Sequence, residues 1–176
     1  MQRARAAPVW AQRSRGMKKI EAKPQAPIHR SRELLLYVED NDDNWRVADL
    51  RLSENYEIVR AATARDACRI LGQRGPELAA ILMDIELRGS DLNGVELTEL
   101  LRGKRPKSSA PDYAQNLPVL GTPIIFVTAH GAKYSDSFLL LVGGDKVIGK
   151  PVDFAALSLA LTQLHLSNAA QKRRRP

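Results

Sequence analysis

Apolar residues along this chain fall into two patterns that take turns. Unbroken runs occur at 34–38 (LLLYV), 78–87 (LAAILMDIEL) and 123–128 (PIIFVT). Runs of this length, bounded by polar residues, predict strands buried on both faces. Shorter runs at 56–61 and 146–149 predict two more strands. Between them apolar residues return every three or four positions: Trp45, Val47, Ala48, Leu50 and Leu52; Ala64, Ala67, Cys68, Ile70 and Leu71; 95 to about 102; 135–142; and Phe154, Leu157, Leu161 and Leu164, to about 166. That spacing predicts five helices with one apolar face each. Their ends carry signals: the polar cluster 41–44 ahead of the first, Thr63 and Asp153 as N-caps, and glycines at 72–75 and 143–144 as stops.

Five strands alternating with five helices predict an α/β fold: a five-stranded parallel sheet with helices on both faces, joined by right-handed crossovers. Order is expected over 33–167. Residues 1–32, with three prolines and no period, read as a basic disordered tail, and 168–176 as a basic C-terminal tail. Residues 103–121, rich in Pro, Ser, Lys and Gly, read as a long exposed loop.

Charge sharpens this division. The formal net charge is +7, yet residues 1–33 hold nine Lys/Arg against Glu21 and Glu33, and 172–175 add four more basic residues. The stretch 34–171 is net −4. A mildly acidic globule with two basic tails is therefore expected, and nucleic acid or an acidic partner could meet it only through those tails. The lone cysteine, Cys68, excludes an internal disulfide and reads as a buried helix residue. No stretch approaches the roughly 18 apolar residues of a membrane span, so a soluble cytoplasmic protein is expected.

The candidate chemistry lies where strands end. The first run ends on Glu39-Asp40, the third strand carries Asp84, the fourth ends on Thr128, and Lys150-Pro151 follows the fifth. In a parallel sheet these ends converge on one rim, where such folds keep their ligands. Three carboxylates crowded there repel one another unless a cation joins them, and a hard ion with oxygen ligands such as Mg²⁺ fits. A lysine and a hydroxyl beside them suit an anionic ligand.

The pieces LLLYVEDN, ILMDIEL, FVTAH and VIGKPVD, in this order and spacing, resemble the receiver domain of two-component response regulators, over essentially all of 34–166. The resemblance implies a flavodoxin-like sheet of order 2-1-3-4-5 and a stand-alone signalling receiver. It implies that Asp84 accepts a phosphoryl group from a sensor histidine kinase or phosphotransfer protein. Glu39, Asp40, Asp84 and the backbone carbonyl of Glu86 would hold Mg²⁺, while Lys150 and Thr128 would contact the phosphoryl oxygens. No conventional enzyme is implied beyond self-phosphorylation from a phosphodonor and autodephosphorylation. Output would pass by protein–protein contact through the face holding Phe138 to Val142, which also serves as a homodimer surface in the family.

Some positions depart from the family pattern. Val147 stands where an aromatic residue is usual, Glu-Leu-Arg-Gly-Ser replaces the usual Met-Pro after the acceptor, and Glu86 adds a carboxylate near the mouth that bears on phosphoryl lifetime. Other signals fall away. The run 40–44 looks like the start of a calcium loop but has Trp45 and Arg51 where Gly and Glu are required. His29, His130 and His165 show no metal spacing. Two rival readings stay open: a receiver-like scaffold that does not switch, and a Mg²⁺-dependent nucleic-acid-processing enzyme built on Glu39, Asp84 and Glu86, which leaves Thr128 and Lys150 unexplained.

Overall fold

The structure, a computed structural model, describes residues 32–129 and 133–174, with side chains through residue 167. Strands β1 (Glu33–Val38), β2 (Tyr56–Ala61), β3 (Leu78–Asp84), β4 (Ile124–Ala129) and β5 (Lys146–Lys150) form one sheet in the order β2-β1-β3-β4-β5. Every pairing is parallel. Helices α1 (Asp42–Leu52), α2 (Ala64–Arg74), α3 (Gly94–Leu101), α4 (Asp136–Val142) and α5 (Phe154–Arg174) connect and cover it. The flavodoxin-like order expected from the sequence is the one found.

The unbroken apolar runs are explained by the two cores. Successive strand residues point to opposite faces. Leu34, Leu36, Val38, Ile81, Met83, Ile124 and Phe126 join a cluster with residues of α2, α3 and α4. Leu35, Tyr37, Ala80, Leu82, Ile125, Val127 and Ile148 join a second cluster with Ala48 and Leu52 of α1 and Leu157, Ala160 and Leu161 of α5. Both faces of the sheet are covered, so no strand position in the centre is left polar until the strand ends.

The helix starts follow the expected caps. Asn41 Oδ1 accepts from Asp43 N and Asn44 N at 2.9 and 3.0 Å, Thr63 Oγ1 from Asp66 N at 3.1 Å, and Asp153 Oδ1 from Ala155 N and Ala156 N at 2.9 and 3.1 Å. Asn93 and Glu96 add a reciprocal capping box at α3. Caps of this kind stabilise a helix by about 1 kcal/mol each.

Three expectations change. The apolar stripe of α1 is narrower than its sequence suggests: Ala48 and Leu52, four apart on one line, are buried and Trp45 is half-buried, whereas Val47 and Leu50 lie to the side and are exposed. The segment 103–121 is not exposed throughout. Two short 3-10 turns, Lys107–Ser109 and Asp112–Ala114, bring Ala110, Ala114 and Leu117 into the core, and the Arg65 guanidinium lies 4.3 Å above the Tyr113 ring. Buried residues spaced irregularly around short turns leave no period in the sequence to read. The last helix runs to Arg174, not to about 166, because SNAAQKRR contains neither Pro nor Gly to stop it, and basic residues suit a helix C-terminus. Among the described residues no helix is long and apolar enough to cross a membrane.

One close approach ties the helical layer to the sheet beside the candidate site. A Cβ on Gly94, the first residue of α3, would lie 2.0 Å from the Asp84 carbonyl oxygen, and Gly94 N donates to Ile85 O at 2.9 Å. Only glycine fits there, for lack of space and not for an unusual φ. Gly94→Ala is expected to lower stability by about 1–3 kcal/mol, measured by urea unfolding, and an unchanged midpoint would refute the contact. Burial pushes the Cys68 thiol up to about 11. Its alkylation at pH 8 should therefore be at least about 100-fold slower in the folded protein than in denaturant, and equal rates would contradict its burial.

Candidate functional site

The strand ends meet as a parallel sheet requires. Ala129 pairs with Lys150 and Asp84 with Val127, while Val38, the last residue of β1, pairs with Met83. Glu39 and Asp40 therefore leave β1 beside the end of β3. A cavity of about 460 Å³ opens at this rim, and Glu39, Asp40, Asp84, Glu86, Thr128 and Lys150 all contribute to its lining.

Lys150 is the bridge between the carboxylates. Its Nζ donates to Asp84 Oδ2 at 2.6 Å and to Glu39 Oε2 at 2.8 Å, across 66 and 111 residues of chain. Glu39 has no solvent exposure at all, which is tolerable for a charge only when every lone pair is answered. It is: Oε1 accepts from Asn41 N and Asn44 Nδ2, both at 3.1 Å, and Oε2 accepts from Tyr37 Oη and Lys150 Nζ, both at 2.8 Å. Asp84 is buried beside it. The Lys150–Pro151 peptide bond is cis.

These contacts push the two carboxyls apart. Burial by itself disfavours the Glu39 charge, but hydrogen bonds from Lys150, Asn44 and Tyr37 outweigh it and hold the carboxyl below its ordinary pKa. For Asp84 burial prevails: Lys150 opposes it, the Glu39 charge adds to it, and the carboxyl sits above its ordinary pKa. Lys150 is also desolvated, yet its bonds to Asp84 and Glu39 keep its pKa raised. The Tyr37 hydroxyl is buried next to Glu39, and both facts raise its pKa and keep it a donor.

The donor set suits a divalent cation. Glu39, Asp40 and Asp84 each offer an oxygen, all within 4.8 Å of one another. Three negative charges against the single charge of Lys150 leave a local excess that a hard dication balances. Asp40 is held from the far side by Arg88 N, which donates to its Oδ2 at 3.2 Å.

The remaining candidates are placed differently. Thr128 lines the cavity, but its hydroxyl donates to the neighbouring Ala129 carbonyl at 3.4 Å and to no carboxylate. Glu86 is exposed at the mouth. His130 and His29 lie outside the described residues; His165 Nδ1 contacts Glu33 Oε1 at 2.6 Å, at the start of β1 and away from the rim. Phe138, Leu140 and Leu141 of α4 are exposed, and Leu139 and Val142 are buried. Tyr134, which also lines the cavity, stacks on Phe138 with ring centroids 5.1 Å apart. Sequence reasoning missed Tyr37, Asn44 and Arg60. Only the position of Asn44 in the polar cluster after β1 hinted at a role.

Comparison with known proteins bears on the fold and the family. Among solved structures, NtrX from Brucella abortus is similar over 81% of this chain with a TM-score of 0.64 and 21% identity. The chain spans only 28% of that protein's length. The receiver domain of Francisella response regulator 1452 is similar over 77% of this chain and 98% of its own, with a TM-score of 0.62 and 19% identity. A response regulator receiver domain protein from Clostridium thermocellum gives 78%, 98%, 0.63 and 16% in the same terms. At such identities these structures speak for the fold alone. No curated protein matches the chain. The family profile described as the response regulator receiver domain matches residues 35–162, so the chain belongs to the response regulator receiver domain family.

Proposed function

We propose that this chain is a phosphorylation-switched signalling receiver in which Asp84 accepts a phosphoryl group from the phosphohistidine of a histidine kinase or phosphotransfer protein. The observation that carries the reading is the double contact of Lys150 with Glu39 and Asp84. It sets a fixed cation against the carboxylate that ends the central strand, inside a cavity open to a partner.

In the transfer, an Asp84 oxygen forms the new O–P bond as the P–N bond to the partner's histidine breaks, and the bonding pair leaves with the imidazole nitrogen. Asp84 must be ionised to attack, and Lys150 works against burial to keep it so. Once Asp84 carries the phosphoryl group as an acyl phosphate, Lys150 pairs with the phosphoryl oxygens as a point charge. The Thr128 hydroxyl, held only by its neighbour's carbonyl, turns to donate to the same oxygens. Asp40, Asp84 and the Glu86 carbonyl are the groups that would hold Mg²⁺, which supplies charge neutralisation at the phosphoryl oxygens when bound. Glu39, whose oxygen lies within 4.8 Å of those of Asp40 and Asp84, would join them by exchanging one of its present donors for the ion. The exposed Phe138, Leu140 and Leu141 offer the face for a downstream protein or a second copy, and the stack of Tyr134 on Phe138 links that face to the cavity. The location is cytoplasmic, and hydrolysis of the aspartyl phosphate resets the switch.

Incubation with Mg²⁺ and acetyl phosphate is expected to add one phosphoryl mass that is base-labile, and Asp84→Asn to abolish it; no adduct on the parent chain, or an adduct that survives the substitution, would sink the proposal. A second measurement addresses the bridge. In Mg²⁺-free buffer Lys150→Ala should cost about 3 kcal/mol of unfolding free energy, because it strands a buried carboxylate, and added MgCl₂ should recover part of the loss. A variant as stable as the parent without Mg²⁺ would show that Lys150 does not carry the site.

A further inference from the structure

Arg60, on β2 at the edge of the sheet, makes contacts that neither the family pattern nor the phosphotransfer reading uses. Its guanidinium is largely buried, with 20% of the side chain exposed. Nε donates to the Glu39 carbonyl at 2.9 Å, one terminal nitrogen to the Asp40 carbonyl at 2.8 Å, and the other to Asp42 Oδ1 at 2.7 Å. One planar fork thus grips the connection between β1 and α1 at three points: both residues of the acidic pair through their backbones, and Asp42 through its side chain. These carbonyls lie beyond the β1 ladder, where Glu39 N still pairs with Ala61 O at 3.0 Å but the chain then turns into α1. With no strand partner there, those two carbonyls take their donors from Arg60.

The grip has a direction. Asp40 is fixed at its backbone by Arg60 on the β2 side and at its carboxylate by Arg88 N on the β3 side. Its oxygen is thereby kept within 4.8 Å of oxygens on Glu39 and Asp84. At the same time Asp42, the next carboxylate along the chain, is drawn onto Arg60 and does not line the cavity. We propose that Arg60 is a positioning residue for the divalent-cation site: it pre-forms the Glu39-Asp40 arm by fixing the backbone carbonyls behind the two carboxylates. This rests on the metal reading given above.

The charge of Arg60 and its geometry predict opposite outcomes. Electrostatics alone says that removing a positive charge beside the carboxylates tightens cation binding. Positioning says that removing the fork weakens it, since a carboxylate arm that must be ordered on binding binds less well. Arg60→Lys separates the two, because it keeps the charge and most of the stem but carries its donors on one nitrogen, which cannot span acceptors that the guanidinium meets from three.

Isothermal titration of the full-length chain with MgCl₂, in parallel with thermal melts in Mg²⁺-free buffer, tests this. Arg60→Lys is expected to fold and to bind Mg²⁺ about tenfold more weakly than the parent, and Arg60→Ala at least as weakly. Unchanged affinity in Arg60→Lys, or tighter binding in Arg60→Ala, would overturn the inference. So would an Asp42→Asn variant that loses as much affinity as Arg60→Lys, because the effect would then belong to the surface ion pair. If the parent chain itself bound no Mg²⁺, the metal reading would fail first and be recognisable as the cause.

Discussion

A carboxylate with no access to water needs its charge answered inside the protein, and much of this site follows from how Glu39 meets that demand. Four donors are supplied from three places: Tyr37 from the strand beneath, Asn41 and Asn44 from the turn into α1, and Lys150 from the last strand. Lys150, at the end of β5, spans the rim past β4 to meet both Asp84 at the end of β3 and Glu39 beyond β1. The order of strands and the chemistry of the rim are therefore one constraint. A different topology would leave Glu39 buried without its cation, at a cost of several kcal/mol.

Strand-end chemistry is easily read from a sequence because it is local. The runs at 34–38 and 78–84 declare themselves as doubly buried strands, and the first polar residue after such a run must sit at the rim. Glu39, Asp40 and Lys150 follow by that rule, and the structure brings them together with Asp84. What escapes are residues whose neighbours are set by lateral register. Tyr37 looks like one more apolar core position, and nothing in LLLYV says that its hydroxyl lies under Glu39. Arg60 stands 21 residues from Glu39, and only the in-register pairing of β1 with β2 carries it alongside. The packing of Ala110, Ala114 and Leu117 escapes for another reason: short irregular turns bury residues without any period.

The helices show the same division. Thr63 and Asp153 act as caps where their types and places indicate, since a cap is a contact within a few residues. The faces are less legible. In α1 the listing of apolar residues overstates what is buried, and Leu50 points to solvent at 78% exposure. In α4 a run of five apolar residues serves two purposes, with Leu139 and Val142 in the core and Phe138, Leu140 and Leu141 outside.

The close fit of Gly94 against the Asp84 carbonyl has a mechanical meaning. The end of β3 and the start of α3 are locked as one block, with no slack for a side chain and with Gly94 N tied to Ile85 O. Asp40, strapped by Arg60 and Arg88, belongs to the same block. On the other side of the cavity Thr128 has only a long bond to its own neighbour. The acidic side of the cavity is thus fixed at several points, while across from it the Thr128 hydroxyl, with its single long bond, keeps the freedom to turn.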